Sequence, residues 1–171
     1  MMGELLERAQ TAPAPQARGR ALEQASIELF TSMPGVLVPG TAIVDYSRTV
    51  DVEVLFPNVP SKTGLWFFER AFLCRCKPWN TAVAAPDIAA FARAMRKKNC
   101  RYGVLISSHR FSRESRTLAS ADKQVAHALA DGYEVVVLHW EDITAIRSTR
   151  ALRDYVQEKW ITLKTFQKIS A

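Results

Sequence analysis

Glycine is scarce in this chain, with seven residues in 171. None falls in a GxGxxG or GxxxxGK-S/T arrangement, so the glycine-rich loops that cradle nucleotide phosphates have no counterpart here. Long apolar runs are missing too. No stretch approaches the roughly 20 residues needed to cross a bilayer, and residues 1–18 lack the apolar segment of a secretory signal. The chain is therefore expected to be cytoplasmic, with no membrane partner. Only three cysteines are present, an odd number, and Cys74 and Cys76 bracket a single residue on an apolar run. That arrangement argues against a disulfide framework or a four-ligand zinc site and predicts reduced, mostly buried thiols. No internal repeat is visible.

Hydrophobic side chains make up 48% of the residues and charged ones 23%, which is enough to bury one sizeable core. Acidic residues are outnumbered, 17 against 23 basic ones, for a formal charge of +6. Such an excess favours a polyanionic partner through counterion release.

Residues 9–17 combine proline, alanine and polar groups without periodicity, so residues 1–17 are expected to form a flexible N-terminal segment. From Gly19 to Thr31, Leu22, Ala25, Leu29 and Phe30 recur at helical spacing, and Met33-Pro34-Gly35 stops that helix. Two strand-like segments, 36–44 and 49–56, predict a meander. A long apolar run, 65–77, reads as a central strand closed by Pro78. Pro86 opens a helix whose apolar stripe is Ile88, Phe91, Ala92 and Met95. A strand at 102–108, a helix that Ser112 can cap and Gly132 can end, and a strand at 134–140 imply a parallel right-handed crossover. In the tail, Leu152, Tyr155, Val156, Trp160 and Leu163 share one helical face. This C-terminal helix, within residues 143–171, is expected to cover the sheet or to engage a protein partner such as a second copy.

Three segments carry a resemblance: Gly19-Arg20-Ala21-Leu22-Glu23 in the first helix, Asp51-Val52-Glu53-Val54 in the second strand, and Phe72 to Trp79 around Cys74-Arg75-Cys76-Lys77. Their order, with Ser107 to Ser112 and Leu138 to Asp142 further on, resembles the PD-(D/E)xK superfamily, especially its Mrr-like restriction endonuclease branch. The resemblance covers residues 18–142. It implies an α/β, restriction-endonuclease-like three-layer sandwich, with a central mixed sheet of about five strands flanked by helices. It also implies DNA cleavage assisted by Mg2+ or Mn2+, with Asp51 and position 75 as metal ligands, Lys77 as the catalytic lysine and Glu23 as a further acid. Position 75 departs from the pattern, because an arginine cannot offer oxygen to a metal and repels it.

Strand alternation places Arg75 and Lys77 on one face and Cys74 and Cys76 on the other, and sets Asp51 and Glu53 together on the preceding strand. Two resolutions stay open. Glu53 or Glu23 replaces the missing ligand beside Asp51, and Arg75 steadies phosphate charge; or Arg75 binds Asp51 in two places and closes the site. Arg93, Arg96 and Lys97, with His109 and Arg110, form a basic set suited to phosphates, although a solvated helix face is nearly as good a reading. Two functions follow. One is a metal-dependent DNA endonuclease in restriction, defence or repair. The other is a catalytically inactive module of the same fold that binds DNA or a protein; RNA is a further candidate polyanion.

Overall fold

The computed structural model describes residues 2–40, 42–45, 51–77, 83–107 and 116–169. Helices α1 (Met2–Thr11) and α2 (Pro15–Thr31) precede strands β1 (Ala42–Asp45), β2 (Asp51–Pro57) and β3 (Ala71–Cys76). Helix α3 (Ala85–Lys97), strand β4 (Tyr102–Ser107), helix α4 (Arg116–Ala130) and strand β5 (Glu134–His139) follow, then helices α5 (Trp140–Ala145) and α6 (Thr149–Ile169). The five strands form one sheet in sequence order. β1, β2 and β3 run antiparallel, whereas β3, β4 and β5 are parallel. The mixed α/β sandwich expected from the sequence is thus present.

Side-chain alternation divides the core in two. Val52, Val54, Phe56, Phe72, Cys74, Cys76, Val104 and Ile106 face α2 and α6, where they meet Leu22, Phe30, Leu152 and Val156. Leu73, Leu105 and Val135 face the other way, onto Ile88, Phe91 and Met95 of α3 and Ala121 and Ala128 of α4. At Gly103 an added Cβ would lie 2.6 Å from the Met95 sulfur, so glycine lets α3 close onto β4. Gly132 ends α4 with φ +88°, the left-handed conformation that glycine adopts without strain. All three cysteines are free and buried.

Three expectations need correction. Residues 9–17 are not an extended linker: they contain the end of α1 and the first turn of α2, with Pro15 in its favoured initial position. The apolar run 65–77 is not one strand. Only Ala71–Cys76 pairs in the sheet, and residues 62–67 form turns. The Asn58 side-chain amide makes this buried turn tolerable by reaching the carbonyls of Leu65, Phe68 and Glu69 at 3.0, 2.9 and 3.0 Å. Trp66 is accordingly exposed, edge-on to Trp160, while Phe67 and Phe68 are buried. Finally, the tail is two helices, broken after Ala145.

The C-terminal helix covers the sheet through apolar packing and one buried carboxylate. Glu134, at the start of β5, accepts hydrogen bonds from Lys164 (2.7 Å) and Trp160 (2.6 Å) of α6 and from Arg101 (2.9 Å). Burial alone would raise the Glu134 carboxyl. The bonds from Lys164 and Trp160, with the charges of Lys164 and Arg101, outweigh it and hold the group below the ordinary glutamate range. A depressed folded-state value means that the stabilisation is complete above the unfolded-state value and disappears as pH falls through the folded one. Glu134→Gln is therefore expected to lower Tm at neutral pH and to flatten the loss of Tm between roughly pH 5 and pH 3. Circular-dichroism melts across that range check this; equal slopes in both proteins would contradict it.

Candidate functional site

The strands place the candidate residues by register. Glu53 of β2 stands directly opposite Arg75 of β3, both in the alternation set that faces α3. Their side chains form an ion pair between Arg75 Nη2 and Glu53 Oε1, with side-chain exposures of only 11% and 15%. The Arg75 guanidinium also lies over the Phe91 ring of α3, 5.2 Å from its centroid. Its buried Nε has no hydrogen-bond partner among the described residues.

One residue past the end of β3, Lys77 is 3% exposed. Its backbone N–H donates to the Ile106 carbonyl at 3.0 Å, which continues the parallel register with β4. Its ammonium lies 2.6 Å from Oδ1 of Asp87 in the first turn of α3. The other carboxylate oxygen of Asp87 accepts the Ala84 N–H at 2.8 Å. An acid here satisfies an orphan helix donor and complements the helix dipole. The same side chain therefore starts α3 and neutralises a lysine at the strand end.

Sequence reasoning singled out Lys77 and Arg75 but not Asp87. The signal was available, since Asp87 directly follows Pro86 in the first turn of a helix reached by a short connection from Lys77. The other candidates divide. Asp51 opens β2 with its backbone paired to Asp45, two residues before Glu53, and its side chain lies outside the described residues. Glu23 is half-buried on α2, which packs on the opposite face of the sheet from Arg75. Arg93, Arg96 and Lys97 are exposed in the last turns of α3. Arg96 pairs with Asp131 at 3.2 Å and lies over Tyr133. At 1.5 Å per residue, Arg96 stands about 14 Å along the helix from Asp87, so the basic turns lie at the far end of α3. His109 and Arg110 lie outside the described residues.

A family model described as restriction endonuclease matches residues 15–139. The chain belongs to the restriction endonuclease family. No curated protein matches it. The matched span runs from the start of α2 to the end of β5, so the whole sheet and the ends of β2 and β3 belong to the restriction endonuclease domain, whose PD-(D/E)xK-like relatives are nucleases.

The chemistry of the acids suits a divalent metal of the kind such nucleases use, because magnesium and manganese prefer carboxylate oxygen. Among the described residues, no three histidine, cysteine, aspartate or glutamate side chains stand together as a metal site. A three-ligand set in this restriction endonuclease domain would therefore include a side chain outside the described residues, as that of Asp51 is. No described helix is long and apolar enough to cross a membrane.

Proposed function

We propose that this domain is a cytoplasmic, metal-dependent DNA endonuclease whose reaction centre lies where β2 begins and β3 ends, beside the first turn of α3. The observation that carries the reading is Lys77: a buried ammonium at the motif's lysine position, fixed 2.6 Å from a carboxylate rather than spread into solvent. Long lysine side chains are seldom buried unless paired, and a lysine held at a strand end beside an acid suits phosphodiester chemistry.

In this reading Asp51 and Glu53 are the acids from β2 that would hold magnesium or manganese. The ion, when bound, supplies Lewis-acid polarisation of a phosphoryl oxygen and a water of lowered pKa. Lys77 orients the attacking water or donates a hydrogen bond to the scissile phosphate. Arg75 steadies the charge that develops on the phosphate. Glu53 keeps that guanidinium in place. Arg93, Arg96 and Lys97, with His109 and Arg110, meet the DNA backbone away from the reaction centre. Glu23, on the opposite face, has the weakest claim as a ligand.

A second reading is favoured by one observation, the Arg75–Glu53 pair itself. The guanidinium occupies the position of an acid and takes up the carboxylate across from it. That arrangement suits an inactive module of the same fold that binds DNA or a protein partner. Incubating the pure protein with supercoiled plasmid and Mg2+ or Mn2+ separates the two. The endonuclease reading expects nicking that vanishes in Asp51→Ala. Binding without cleavage under either ion would leave only the second reading.

A further inference from the structure

We infer that Asp87 supplies the carboxylate that position 75 lacks, so that the metal is held from the start of β2 and the first turn of α3 instead of from two neighbouring strands. The inference rests on the endonuclease reading above and names a further residue of that centre.

Three observations converge on it. The first is contact: Asp87 Oδ1 is 2.6 Å from the Lys77 ammonium, so this acid stands beside the motif's lysine, whose side chain shares a face of the strand with position 75. The second is capacity. A carboxylate offers about four lone-pair positions. Only the Lys77 ammonium and the Ala84 N–H engage those of Asp87 among the described residues, which leaves room for a metal. The third is charge. An arginine in place of an acid shifts the local charge by two positive units, and Glu53 and Asp87 each return one negative unit on the same face of the sheet. With Asp51, the centre regains the net negative charge that a divalent ion requires.

Helix capping alone accounts for only part of this geometry. An acid at the third helical position needs a single oxygen to receive the Ala84 N–H. It does not need a lysine that is 3% exposed on its other oxygen.

Titration of the full chain with Mn2+ in a calorimeter, without DNA, tests the inference apart from activity. The wild type should bind Mn2+, and Asp87→Asn should bind it at least tenfold more weakly. Asparagine keeps an acceptor for the Ala84 N–H, so α3 should survive; circular-dichroism melts verify that. If Asp87→Asn melts early, Asp87→Ser carries the comparison below both transitions. Unchanged Mn2+ affinity in a folded Asp87 variant overturns this inference alone. A wild type that binds no Mn2+ overturns the endonuclease reading and this inference with it.

Discussion

Arg75→Met is expected to destabilise the domain by about 3 kcal/mol, since removing one partner of a buried ion pair leaves the other charge uncompensated. Glu53 is the stranded partner, 15% exposed in the middle of β2. The substitution also removes the guanidinium from the Phe91 ring, a smaller loss of roughly 1 kcal/mol. For a chain of this length the change corresponds to a Tm lowered by roughly 6 to 12 °C. The double variant Glu53→Leu/Arg75→Met should recover most of that, because replacing a buried pair with apolar groups of similar volume is often neutral. Denaturant unfolding of the four proteins of the cycle measures the coupling. A single variant that unfolds at the wild-type midpoint would show that the pair contributes nothing.

The second large effect concerns activity. Lys77→Met should lower metal-dependent plasmid cleavage roughly 10²- to 10³-fold, the usual cost of removing one preorganised donor from a reaction centre. DNA affinity, set mainly by exposed basic residues, should change little. Lys77→Arg should not restore activity, because a planar guanidinium cannot replace a compact ammonium held 2.6 Å from Asp87. Cleavage rates at saturating DNA, read beside filter-binding affinities, check both statements. Equal losses of cleavage and binding would assign Lys77 to DNA contact instead of chemistry.

Much of the fold was legible because its elements obey simple periods. The stripe of Ile88, Phe91 and Met95 and the Pro86 start located α3, Gly132 marked the end of α4, and the apolar strands β4 and β5 with a helix between them implied the parallel crossover. Other parts were illegible for physical reasons. A continuous apolar run cannot distinguish a buried strand from a partly buried turn; residues 62–67 turn instead of pairing, and the Asn58 side chain donates to the carbonyls of Leu65, Phe68 and Glu69 in and just after that turn. The alanine-rich N-terminus reads as a linker by its prolines, yet alanine favours helix and Pro15 is tolerated at a helix start.

At the candidate site, alternation along the strands correctly set Arg75 apart from the buried cysteines. Sequence spacing could not choose the partner of each cation. Glu53 opposes Arg75 only because of the register between β2 and β3, a property of pairing between distant segments. Asp87 meets Lys77 only because α3 packs back over β3, with Phe91 and Leu73 in one core cluster. Helical periodicity reports which residues face the core; it carries no information about which strand end the first turn will meet.

The central claim is a divalent-metal centre where β2 begins and β3 ends, and a Mn2+ soak of crystals tests it most directly. The account predicts an anomalous-difference peak beside Lys77, with oxygen ligands from Asp51, Glu53 and Asp87 at about 2.1 Å. A map with no peak there, or with manganese only at exposed carboxylates elsewhere, would contradict it.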